Sequence, residues 1–142
     1  MYTAAKARQD SVRTPKNILK WVRKKFGKYY DPVPYNPSFN PKKDKDALIT
    51  EWGQTSFVNP PFSRTAKFVE KSFEQYKKGK TVIILVKTDV LGSKYFSKYR
   101  GCEIVLFPEP VVFPGFSNAP RFHVCLLIYR AGKRSSKYSF FK

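Results

Sequence analysis

The segment "TVIILV", residues 81–86, limits the possible folds more than any other stretch. It is β-branched, shows no polar alternation and is far too short to cross a bilayer, so it reads as a strand buried on both faces. Such a strand needs a covering layer on each side, and the sequence supplies two amphipathic helices. The first is predicted over residues 15–26: Thr14 offers a cap, Pro15 occupies the first turn, Ile18, Leu19, Val22 and Phe26 share one face, and Gly27 stops it. The second is predicted over residues 64–78, capped by Ser63, with a stripe of Ala66, Val69, Phe73 and Tyr76 and a stop at Gly79. A shorter helix is expected at residues 93–99. Further strands are expected at "TSFV" (55–58), "EIVLF" (103–107), and a late hairpin-like pair, "VVF" (111–113) and "HVCLLIYR" (123–130). The expected fold is therefore α/β, a Rossmann-like three-layer sandwich forming a single small domain. "TSFV", "TVIILV" and "EIVLF" should be neighbouring strands, with Trp21 and Trp52 in the core.

A chain of 142 residues suits one domain, and 42 % hydrophobic content places it among folded proteins. Its 28 Lys+Arg against 10 Asp+Glu, net +18, point to a polyanionic partner, of which nucleic acid phosphate is the commonest. Cys102, Cys125 and a lone His123 do not make a zinc site of the usual kind, so no metal is expected; the cysteines read as buried reduced thiols. No apolar leader precedes the first helix, and no membrane partner is expected.

At residues 59–62 the chain leaves a short strand through Asn59-Pro60-Pro61-Phe62. Two prolines remove two backbone donors and stiffen the turn, leaving carbonyls without local competition. In an open α/β sheet this turn lies at the carboxyl ends of strands, where ligands bind. An Asn oxygen beside a fixed carbonyl suits the two N–H bonds of a primary amine, and Phe62 adds a flat face. That set fits the exocyclic amine of a flipped base. Holding both N–H bonds favours a more tetrahedral, more nucleophilic nitrogen.

"RTPKNILKWVRKKFG", "YYDPVPYNP", "DALITEWGQTSFVNPPFS" and "FVEKSFEQYKKGKTVIILV" together resemble the phage-type (Dam-like) DNA N6-adenine methyltransferases over residues 13–129. The resemblance implies that Asn59, Pro60, Pro61 and Phe62 form the catalytic turn around the target adenine. It also implies that Thr14, Pro15, Asp31 and Pro32 line a pocket for S-adenosylmethionine. Arg64, Lys67, Lys87 and Arg121 are the expected DNA contacts. The chain departs from the family pattern at Lys87, where an arginine is usual, and at Glu109-Pro110, where Gly-Arg is usual.

Two functions agree with this reading. One is site-specific methylation of DNA adenine by an S-adenosylmethionine-dependent enzyme. The other is the same fold reused, without catalysis, as a basic structural protein, a minor capsid protein of a large DNA virus whose partners are other capsid proteins. The expected organisation is a basic N-terminal arm (1–12), a methyltransferase-like domain (13–130) and a basic C-terminal tail (131–142). The expected location is intracellular, in host cytoplasm or nucleus, or the virion in the structural alternative.

Overall fold

A computed structural model describes residues 12–36 and 46–142. Most of the segment read as an N-terminal arm, and Lys42, Lys43 and Lys45, lie outside the described residues. Helix α1 is Lys16–Phe26 and α2 is Thr65–Lys77; the strands are β1 Thr55–Val58, β2 Thr81–Lys87, β3 Glu103–Leu106, β4 Val124–Tyr129 and β5 Tyr138–Phe140. They form a single sheet in the order β1-β2-β4-β3-β5. β1 runs parallel to β2 and β3 parallel to β5, while β4 is antiparallel to both β2 and β3. Four strands therefore point one way and β4 alone is reversed.

The alternation of side chains along each strand explains the three layers. Val82, Ile84 and Val86 of β2, with Cys125, Leu127 and Tyr129 of β4, pack against Phe68 and Val69 of α2. The opposite face carries Ile83, Leu85, Leu126 and Ile128, packed against Ile18 and Val22 of α1. All six residues of β4 are buried, as are five of seven in β2, which accounts for their continuous apolar runs. The fold is an α/β, Rossmann-like three-layer sandwich.

Several local expectations change. β2 and "EIVLF" are not neighbours, because β4 is inserted between them. The segment "VVF" is not a strand; the proline-bearing stretch from 107 to 123 crosses the sheet end as irregular chain. Pro15, not Thr14, stands at the α1 N-cap position, and α2 is preceded by Arg64 with no side-chain cap, since a 3-10 turn at Phe62–Arg64 feeds it directly. Ala66 is exposed; the buried face of α2 instead holds Phe68, Val69, Ser72 and Gln75. Residues 131–142 were read as a tail, yet β5 closes the sheet there and Phe141 packs on Trp21 and Phe107.

The two cysteines are free and buried, and burial pushes Cys102 up to about 11 and Cys125 up to about 12. At neutral pH both are thiols and poor nucleophiles.

Glu51 sits on the surface between Lys78 and Lys80, and hydrogen bonds from both hold its carboxyl at about 2 instead of 4.5. A carboxylate with a depressed folded pKa contributes stability above its unfolded value and loses it as pH falls through the folded value. The Glu51 contribution should thus be present above pH 4.5 and fade towards pH 2. Thermal unfolding of Glu51→Gln and of the parent, followed across that window, should converge at the acid end. A gap that persists unchanged at the lowest pH would overturn the assignment.

Candidate active site

The carboxyl ends of β1, β2, β3 and β5, with the amino end of β4, share one edge of the sheet, and the residues singled out from the sequence gather there. Asn59 directly follows β1 and is half-buried. Its Nδ2 donates to the Val12 carbonyl at 3.0 Å and to the Thr14 hydroxyl at 3.1 Å. These two acceptors fix which way the carboxamide faces, because turning it over would set its oxygen against the Val12 carbonyl oxygen. Its Oδ1 is buried and accepts no hydrogen bond among the described residues. An unsatisfied buried acceptor costs about 1–3 kcal/mol, so this oxygen is held at a cost, oriented and without a partner.

The prolines behave differently from one another. Pro60 is buried, and Pro61 initiates the 3-10 turn with φ −56°, the value its ring imposes. The Pro61 carbonyl is not left open as expected: it accepts from the Arg64 N–H at 2.9 Å. Phe62 meets the edges of Phe122 and Phe113, at centroid distances of 5.2 and 6.4 Å. Lys87 lies over both Phe62 and Phe122, with Nζ 5.0 and 4.3 Å from the ring centroids. The ammonium is drawn by the ring quadrupoles and sets a positive charge beside the turn.

Asp31 reaches the same edge by a different route. Tyr30 forms a parallel bridge with Ser56, donating to Thr55 O at 2.8 Å and accepting from Phe57 N–H at 3.0 Å. This close approach needs Gly53, since a Cβ there would lie 2.8 Å from the Tyr30 Cβ. Asp31 follows, with Pro32 after it, and its Oδ1 accepts from the Val33 N–H at 2.9 Å. Surrounding protein raises the Asp31 pKa by desolvation, against the lowering by that hydrogen bond. Its other oxygen has no partner among the described residues.

Of the expected cofactor-lining residues, Pro15 is buried and Thr14 is occupied with Asn59. Among the expected DNA contacts, Arg64 pairs with Asp46 at 3.5 Å and lies over Phe68, and Lys87 is held on its aromatic rings. Lys67 and Arg121 are exposed. The sequence reading missed Val12, whose contribution is a backbone carbonyl and leaves no side-chain signal. It also missed Phe113 and Phe122. The pairing of Lys87 with Val124 places Phe122 close to Lys87, a signal that exists only once the strand register is known. Among the described residues no group of three or more His, Cys, Asp or Glu could hold a metal ion, and no helix is long and apolar enough to cross a membrane.

The model of the DNA N-6-adenine-methyltransferase (Dam) family matches residues 2–108, which include Thr14, Asp31 and the whole turn from Asn59 to Phe62. The chain belongs to the Dam family. Of solved structures, a predicted O-methyltransferase from Agrobacterium tumefaciens is similar at 14% identity and a TM-score of 0.36. The alignment covers 90% of this chain, which spans only 64% of that structure's length. No individually curated protein matches the sequence. The Dam match ends before Arg121, β4 and β5, so the DNA contact expected at Arg121 lies outside it.

Proposed function

We propose that this Dam-family chain methylates N6 of adenine in DNA, using S-adenosylmethionine and acting on a base swung out of the stack. The observation that carries the reading is the oriented, buried and unpartnered Asn59 Oδ1 at the carboxyl end of β1. Adenine N6 is a weak nucleophile because its lone pair is delocalised into the ring. Accepting one N6–H, Asn59 Oδ1 favours the pyramidal nitrogen that attack requires; its orientation is set beforehand, and the atoms that cover it have to part to admit the amine. When bound, S-adenosylmethionine would supply an electrophilic methyl group; Asn59 would hold and orient the amine that receives it, and the amine's proton would leave to water.

The residues present suit that cofactor. The free oxygen of Asp31 is an acceptor for a hydroxyl or ammonium group, at the edge Asn59 occupies. Phe62 and the Lys87 ammonium flank the turn from the other side; Lys87 offers a charge to the phosphate next to the extruded base.

The direct test incubates the purified chain with methyl-labelled S-adenosylmethionine and adenine-containing duplex, and digests the product to nucleosides. Label should appear in N6-methyladenine. If no label is transferred and calorimetry shows no cofactor binding, the fold serves as a scaffold, as in a basic structural protein.

The Asn59 clip makes its own prediction. Thr14→Val removes an acceptor from Nδ2 and keeps the volume, which should lower turnover about tenfold, the value of one hydrogen bond. Thr14→Ser should restore it. Equal turnover in all three proteins would show that Thr14 does not orient Asn59.

A further inference from the structure

The opposite end of this sheet edge carries a recess that the chemistry at Asn59 does not use. Its volume is about 290 Å³, and its lining includes Thr88, Phe107, Glu109, His123 and Phe140. A second recess, of about 220 Å³, shares Glu109, Pro110 and Val111, so Glu109 stands on the ridge between them. Pro108 and Pro110 flank Glu109 and restrict its backbone. Asp46 is paired with Arg64, Glu51 with Lys78 and Lys80, and Glu103 with Arg130. Glu109, like Asp31, Glu70 and Asp89, has no ion pair among the described residues, in a chain of net charge +18.

Beside this recess the face of the sheet is bare. Register sets Tyr138 opposite Ile104 and Phe140 opposite Leu106, on the face that α2 covers further along. Here α2 does not reach: Tyr138 is 65% exposed and Phe140 59%. Two aromatic rings two residues apart on one strand stand about 6–7 Å from each other. Lys137 and Lys142 bracket them, and residues 131–142 contain four basic side chains and no acidic one. Exposed rings on a basic strand are the elements with which proteins hold unpaired nucleotides.

We infer that this corner is a second nucleobase site, which takes an unpaired, amino-bearing base. Phe140 and Tyr138 stack the base and its neighbour, Lys137 and Lys142 take the phosphates, and the Glu109 carboxylate accepts from the exocyclic amine. The carboxylate repels phosphate from the recess, so only a base edge suits it. Cytosine N4 is a natural donor to Glu, whereas thymine presents O4 and has no amine. The recess is at the small end of ligand pockets and has room for one planar base. Four strand spacings of about 4.8 Å separate β5 from β1, roughly 19 Å. A strand whose adenine lies at Asn59 would span that in about six nucleotides. Self-association is disfavoured by the like charges on both copies. The inference rests on DNA being the substrate, but its test requires neither cofactor nor turnover.

Fluorescence anisotropy with labelled oligo-dC and oligo-dT single strands provides that test. Wild type should bind oligo-dC at least about fivefold tighter than oligo-dT. Glu109→Ala should bring the ratio close to one without weakening oligo-dT binding. Phe140→Ala should weaken both by about tenfold, in line with the loss of one stacking face. Both side chains are exposed, so neither change threatens the fold. Discrimination that survives Glu109→Ala, or its absence in the wild type, overturns the inference. So does a wild-type dimer in sedimentation that Phe140→Ala dissociates, with no strand bound by either protein. Strand binding with this discrimination in a chain that transfers no methyl group would uphold the corner site and refute only the proposed catalysis.

Discussion

Asn59→Ala should reduce methyl transfer by about 10²–10³-fold while leaving DNA affinity within about twofold. The magnitude is that expected when one preorganised polar group is removed from the place where charge develops, on the order of 3–4 kcal/mol. Two features of this site put it at the upper end. The Asn59 Oδ1 is shielded from solvent, so water does not readily replace it, and its orientation is fixed by Val12 and Thr14. DNA affinity should persist because it is distributed over the basic surface of a +18 chain and not over one carboxamide. Single-turnover kinetics separate the two quantities. A fall confined to affinity, with the chemical step unchanged, would remove Asn59 from the reaction.

Phe68→Ala should destabilise the fold by about 3–5 kcal/mol, the range for emptying a buried aromatic site. Phe68 is 2% exposed and joins α2 to the sheet. Trp52 stacks on it at 6.4 Å with an interplanar angle of 22°, and Arg64 lies over its ring. Its removal thus loosens the packing next to the turn from Asn59 to Phe62 as well as the core. Urea titration followed by tryptophan fluorescence should show the midpoint move without a change of slope, and the melting temperature should fall by roughly 10 °C or more. A loss under about 1 kcal/mol would mean that α2 is held mainly by other contacts.

What the sequence revealed depended on whether the cause was local. β2 was legible because burial on two faces leaves an uninterrupted apolar run. α1 was legible because Pro15 and Gly27 bound it, the glycine with φ 78° and its N–H on the Arg23 carbonyl. The position of β4 was not legible: its apolar run marks a buried strand but carries no statement of which strands lie beside it. β5 was hidden for a related reason, since its three residues are exposed and its lysine-rich surroundings have the composition of a tail. At the site, the turn at Asn59 was readable from its prolines. Its clip was not, because it joins residues 47 and 45 positions apart through a carbonyl and a hydroxyl. Arg64 and Lys87 were readable as charges, but sequence does not say that Asp46 and two phenylalanine rings already hold them.

The reversed strand at the middle of the sheet also governs when the molecule becomes a molecule. β4 separates β2 from β3, yet it is synthesised after both, and the match to the Dam family stops at residue 108, ahead of it. As the chain leaves the ribosome, β1, α2, β2 and β3 all precede the strand that hydrogen-bonds β2 to β3, which comes only with residues 124–129. Until then the edges of β2 and β3 that β4 covers are bare, and Ile84 and Ile104 lack Leu127, the residue that ends up beside both. The turn from Asn59 to Phe62 is encoded early, and the sheet beneath it is completed only when about the last seventh of the chain arrives to lock it from within.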